Sequence, residues 1–205
     1  SCGAGEPLAR EYVRAAMVAR LHTFAQGRSG VHPRLTEVLT AFIDNDIIPF
    51  IPQHGSVGAS GDLVQLAHLA LCLIGEGEVF HNGRKCPAGE AMEQCGIQPL
   101  EMYIREGLAV TNGTSVMTGI GIVTLIRAKR LLSRAIAGSV MVNEVVCSYG
   151  DFMTAGLNGT KLHPGQNMVA AQMRALAEGS KRMKDREVVL YTEENCEKVF
   201  SHKLQ

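Results

Sequence analysis

Nine residues, Gly55-Ser56-Val57-Gly58-Ala59-Ser60-Gly61-Asp62-Leu63, decide how this chain is read. The first seven hold three glycines and two serines, and an apolar run, Leu63 to Ile74, follows directly. Glycine at that density implies backbone conformations or close approaches that a Cβ would forbid. The tripeptide Ala59-Ser60-Gly61 also admits an unusual reaction. In a tight fold the Gly61 amide nitrogen attacks the Ala59 carbonyl carbon, and loss of water closes a five-membered ring. Dehydration of Ser60 then leaves an exocyclic methylene. Gly61 is an unhindered nucleophile, Ala59 a small acyl partner, and Ser60 carries a hydroxyl that can leave.

Other readings of the loop stay open at this point. Glycine and serine also make plain flexible connectors. A phosphate cradle at a helix N-terminus is a further use of such loops, but Asp62 stands where a phosphate loop offers Lys. A nucleophile elbow needs G-x-S-x-G, and neither Ser56 nor Ser60 lies in that frame.

The rest of the composition narrows the function classes. The 205 residues suit one good-sized domain or two small ones, and 46% hydrophobic residues can bury a substantial core. Twenty basic and twenty acidic side chains cancel, so no field draws the chain to nucleic acid or anionic membrane. The six cysteines show neither C-x-x-C spacing nor a zinc-like grouping with histidine, so no metal site is expected. They read as reduced thiols of a cytoplasmic protein. Leu108 to Val146 is long and apolar, but Arg127, Lys129, Arg130 and Arg134 interrupt it, so no membrane span is expected. The chain begins without Met at Ser1-Cys2-Gly3 and stops at Lys203-Leu204-Gln205, and it reads as a piece of something longer.

Periodicity predicts a mainly α fold with one β-hairpin. Helices are expected from Pro7 to Gly27 and from Pro33 to Asn45, with Leu35, Val38, Leu39 and Phe42 on one face of the second. Ile48-Pro49-Phe50-Ile51-Pro52 is an extended strap. Asp62 looks like an N-cap, with Gln65 completing a capping box, for a helix ending at Gly75 or Gly77. Glu78 to Lys85 is a hairpin turning at Asn82-Gly83. A short helix covers Ala88 to Cys95, and the longest helix about 107–148. A turn at Leu157-Asn158-Gly159 precedes a helix from Gly165 to Gly179, and a short helix is expected at Glu193 to Phe200.

The loop and its surroundings resemble the aromatic amino acid ammonia-lyases, the histidine, tyrosine and phenylalanine enzymes and related aminomutases. The family's G-S-x-G-A-S-G-D-L motif stands complete at Gly55 to Leu63. Colinear matches are Gly3-Ala4-Gly5-Glu6-Pro7-Leu8, Gly27-Arg28-Ser29-Gly30-Val31, Leu66-Ala67-His68-Leu69-Ala70-Leu71 and Gly75-Glu76-Gly77-Glu78. Further on lie Glu106-Gly107-Leu108-Ala109, Asn112-Gly113-Thr114-Ser115 and His163-Pro164-Gly165-Gln166. The resemblance implies a long-helix bundle of the fumarase/aspartase-like type, with this chain as a central segment of the lyase domain. It also implies a 4-methylidene-imidazol-5-one formed from Ala59, Ser60 and Gly61 as the electrophile. Asp62 would assist ring closure, Asn112 would hydrogen-bond the ring or substrate, and Gln166 would line the same pocket. The implied reaction is elimination of ammonia from an aromatic L-amino acid to a trans-propenoate by a homotetramer.

The chain departs from the family at Gln65 and Leu162, where proline is usual, and at Lys161, where arginine is. The segments that carry the family's tyrosine base and carboxylate-binding arginine are expected upstream of Ser1 and beyond Gln205. The dipeptide that sets substrate choice also falls upstream. Asn112-Gly113-Thr114-Ser115 followed by Met117-Thr118-Gly119 resembles tyrosine lyases more than histidine lyases. A 2,3-aminomutase of the same family and a non-catalytic helical assembly subunit are the alternatives.

Overall fold

In the computed structural model, which describes residues 3–190, the chain forms two units, Ser1–Ile126 and Arg127–Gln205. The first unit grows outward from the proline strap. Each proline keeps the residue before it extended, and the strap supplies two short strands, β2 (Ile48–Pro49) and β3 (Pro52–His54). β3 pairs antiparallel with β1 (Ala4–Pro7), Ala4 opposite His54. β2 pairs with β4 (Glu78–His81), Ile48 opposite Phe80, and β4 pairs with β5 (Arg84–Pro87). The single hairpin expected from sequence is therefore part of a three-stranded sheet, and a separate two-stranded sheet stands beside it. Pairing between extended segments far apart in sequence leaves no local pattern to read. The hairpin turn itself follows its chemistry: Asn82 and Gly83 take φ of 49° and 77°, the positive values a type I′ turn needs.

Helices α1 (Arg10–Ala25), α2 (Pro33–Asp44), α3 (Leu63–Leu73) and α4 (Ala88–Gln94) close over these strands. Proline opens α2, where its missing N–H costs nothing, and the His32 side chain accepts from Arg34 N. Val13, Met17, Leu35, Leu39, Phe42, Leu66 and Leu73 are all buried in one core with Ile48, Ile51 and Met92. Each such side chain contributes about 1.5–3 kcal/mol by leaving water.

The long helix expected over 107–148 is two helices. α5 (Glu106–Thr111) stops, Asn112-Gly113-Thr114 turns, and α6 (Ser115–Val145) begins. Apolar residues continue on both sides of the break, with Val110 and Val116 buried in the same core, so periodicity reads straight through it. By length and composition Glu106–Val145 is apolar enough to cross a membrane. It is broken at Asn112–Thr114 and carries four cations at Arg127, Lys129, Arg130 and Arg134, and charges are costly at mid-bilayer.

The second unit continues from α6 through a 3₁₀ turn (Gly150–Met153), α7 (Ala155–Gly159), α8 (Pro164–Ala177) and α9 (Arg186–Leu190). The turn expected at Leu157–Gly159 is the end of α7. Buried Asn158 donates to Phe152 O at 2.8 Å and Thr154 O at 2.9 Å, which holds that short helix together. The helix expected at Glu193–Phe200 lies outside the described residues.

Candidate functional site

The loop between β3 and α3 is shaped by close approaches that only glycine permits. A Cβ on Gly55 would lie 2.5 Å from Val64 Cγ1. Gly61 has φ +101°, and a Cβ there would lie 2.8 Å from Gly113 O and 3.0 Å from Gly113 N. The next amide, Asp62 N, donates to Gly113 O at 2.7 Å. The Gly61-Asp62 segment is thus pressed against the Asn112-Gly113 turn, backbone on backbone. Ala59 and Ser60 are exposed, following Gly58 at φ +70°.

Asp62 corrects an expectation. It occupies the position before α3 but makes no side-chain bond to that helix. Its Oδ2 accepts instead from Met117 N, 2.8 Å away in the first turn of α6. The α3 terminus is capped from the loop, where Ser56 Oγ accepts from Val64 N at 2.9 Å. Local spacing suggested the capping box, but tertiary placement brought an orphan donor of α6 within 2.8 Å of Asp62. Gln65, the expected reciprocal partner, is buried with Oε1 unpaired among the described residues. Asp62, only 7% exposed, therefore lies where the N-termini of α3 and α6 converge. Both termini carry partial positive charge, which favours negative charge at this point. Ser56, Asp62 and Gln65 line one cleft of about 240 Å³ with Leu8, Val116 and Ile120.

Behind the Asn112-Gly113 turn sits Arg20, a residue the sequence reading passed over. It is 5% exposed on the buried stripe of α1 that also carries Val13, Met17 and Phe24. Its Nη2 donates to Asn112 O at 2.7 Å and to Ala109 O, carbonyls that the end of α5 leaves without helical partners. The guanidinium carbon lies 5.0 Å from the centre of the Phe24 ring. Burial lowers the Arg20 pKa from its ordinary value, because the charged form loses water. A Cβ on Gly113 would fall on Arg20 Nη1, so any side chain there must push the guanidinium aside. An arginine at helical spacing within an apolar stripe was the available signal.

Of the six residues singled out from sequence, the structure brings Gly61, Asp62 and Asn112 together. Asn112 is exposed at the end of α5, beside the Gly113 peptide that Gly61 touches. Ala59 and Ser60 precede them on the open side of the loop. Gln166 belongs to the second unit, where its Nε2 donates to Asn158 Oδ1 at 3.0 Å. Among the described residues no cluster of His, Cys, Asp or Glu is placed to hold a metal.

Known proteins resemble this chain along nearly its whole length. The aromatic amino acid lyase family profile matches residues 1–200. A histidine ammonia-lyase of Myxococcus xanthus is 38% identical over 200 residues, 97% of this chain and 38% of that protein. A tyrosine 2,3-aminomutase of Myxococcus sp. is 41% identical over 191 residues, 93% of this chain and 36% of the relative. The crystal structure of a tyrosine aminomutase from Streptomyces globisporus superposes with a TM-score of 0.88 at 36% identity. It covers 100% of this chain and 38% of that one. The chain thus spans well under half the length of the relatives it matches.

Proposed function

Because the chain belongs to the aromatic amino acid lyase family, we propose that it carries the electrophile-forming segment of an aromatic amino acid ammonia-lyase. The substrate of this reading is an aromatic L-amino acid, tyrosine before histidine, and the products are ammonia and a trans-propenoate. The observation that carries it is the placement of Gly61 at φ +101°, lying on the Gly113 peptide with Asp62 held by Met117 N. That cradle excludes a Cβ and suits a backbone that folds on itself, as a ring made from Ala59, Ser60 and Gly61 requires. Such a methylidene-imidazolone supplies an electrophilic methylene when formed.

The chain's own residues then have definite tasks. The N-termini of α3 and α6 favour electron density gained beside Gly61. In this reading Asp62, held by its bond to α6, assists proton transfers during ring closure. Asn112 presents an exposed amide next to the same peptide and takes the ring or the substrate as partner. Gln166, by the family motif His163-Pro164-Gly165-Gln166, is taken as a polar group for the substrate. Metal and nucleotide have no part in this reading.

Partners follow from the surface. Leu125, Leu131, Met141 and Val145 on α6 are each more than half exposed, which favours burial against copies of the same helix in a homotetramer. Balanced charge offers nothing for nucleic acid, and the unbridged Cys72, Cys86, Cys95 and Cys147 favour a reducing cytoplasmic compartment.

One experiment tests the reaction. In the full-length gene product, the peptide spanning Ala59 to Gly61 is expected to have lost two waters by mass spectrometry. Tyrosine is expected to give an ultraviolet-absorbing propenoate, and Ser60→Ala should abolish both signals. Full activity in Ser60→Ala sinks the reading. A second reading, 2,3-aminomutase, is favoured by the 41% identity to a protein of that name. It predicts a β-amino acid as the main product from tyrosine.

A further inference from the structure

Arg20 stands beneath the loop chemistry without touching the reacting atoms. Three layers are stacked: the guanidinium, the Asn112-Gly113 turn, and the Gly61-Asp62 backbone. Each interface is too close for a side chain, since a Cβ on Gly113 meets Arg20 Nη1 and a Cβ on Gly61 meets Gly113 O. Each is also tied by hydrogen bonds, from Arg20 Nη2 to Asn112 O and Ala109 O, and from Asp62 N to Gly113 O. Arg20 itself is fixed over Phe24, and its Nε has no partner among the described residues. A buried guanidinium that leaves one donor unsatisfied is held in place for its other contacts.

We propose that Arg20 is a positioning residue for ring closure: it holds the Asn112-Gly113 turn as the template on which Gly61 is folded toward Ala59. This rests on the ring-forming reading above. In that reaction Gly61 N forms a bond to the Ala59 carbonyl carbon. The carbonyl oxygen leaves as water, with hydrogens from Gly61 N and Ser60 N. Ser60 then loses its Cα hydrogen and its β-hydroxyl as a second water. No oxidant is needed, so geometry limits the rate. Removing Arg20 frees the end of α5, lets the Gly113 carbonyl turn, and releases the amide of Asp62. Reactions that depend on such alignment lose on the order of a hundredfold in rate for a 1 Å misplacement. Lysine keeps the charge but not the planar guanidinium that packs over Phe24 and against Gly113.

The test follows ring formation rather than turnover. Full-length wild type, Arg20→Met and Arg20→Lys are expressed with an isotope pulse, and loss of two waters from the Ala59–Gly61 peptide is timed by mass spectrometry. Arg20→Met is expected to mature roughly ten- to a hundredfold more slowly, and Arg20→Lys to fall between it and wild type. A core variant, Leu39→Ala, serves as the control for general destabilisation and should mature at the wild-type rate. Maturation of Arg20→Met at the wild-type rate overturns the proposal, as does equal slowing in Leu39→Ala at matched melting temperature. Should Arg20→Met not fold, Gly113→Ala decides, because its Cβ meets the guanidinium and parts the turn from Arg20. Slowed water loss then supports the template, and an unchanged rate overturns it. Absence of water loss in wild type removes the ring-forming reading itself, and the role of Arg20 with it.

Discussion

Replacing Asp62 by alanine separates two accounts of the helix that follows the loop. If Asp62 capped its own helix, the damage would appear at the N-terminus of α3. The structure sends its carboxylate to Met117 N at 2.8 Å, so the damage should appear in the first turn of α6. Loss of a capping side chain costs about 0.5–2 kcal/mol. Loss of a carboxylate from a helix N-terminus adds about 0.3–1 kcal/mol. The sum, roughly 1–3 kcal/mol, lowers protection of the Met117 amide by about five- to a hundred-and-fiftyfold, since 1.4 kcal/mol is tenfold. Asp62→Asn keeps an acceptor and loses only the charge, so its effect should sit near the bottom of that range. Ser56→Ala is the complementary change, exposing the Val64 amide that Ser56 Oγ now holds at 2.9 Å. Site-resolved hydrogen exchange reads both amides. Deprotection of Val64 rather than Met117 in Asp62→Ala would falsify this capping pattern.

Two further changes test the packing behind the site. Gly119→Val should lower the urea midpoint: a Cβ at Gly119 falls 2.5 Å from Ala16 N. The overpacking cost of about 1–3 kcal/mol or more exceeds the few tenths by which valine improves on glycine in a helix; a stabilised variant would refute the α1–α6 contact. The Cys72 thiol, buried beside Glu78, is pushed up to about 12 from an ordinary 9.0. It stays neutral in the folded chain while the unfolded chain ionises above pH 9. Its contribution, about 4 kcal/mol at 1.36 kcal/mol per unit, is therefore complete below pH 9 and lost as pH rises toward 12. Native protein at pH 8 should resist iodoacetamide at Cys72, and labelling as fast as in denaturant would contradict its burial.

What the sequence by itself determined was local or patterned. Asn82-Gly83 required a positive-φ turn, Pro33 opened α2, the strap prolines kept 48–52 extended, and the spacing of Leu35, Val38, Leu39 and Phe42 named a buried face. The motif from Gly55 to Leu63 pointed to the family, and glycine at position 61 implied a contact that no Cβ could share. Only the tertiary structure decided what those residues meet. Asp62 and Met117 N are 55 residues apart, and Arg20 reaches Asn112 O across 92. A helical period cannot report a break whose carbonyls are satisfied from another helix, so periodicity ran straight through 107–148, and Asn112-Gly113, the dipeptide that turns at 82–83, was the local signal of the break. The same physics moved the cap: folding brought the orphan amide of Met117 within 2.8 Å of the Asp62 carboxylate, and Ser56 Oγ took the Val64 amide of α3 instead.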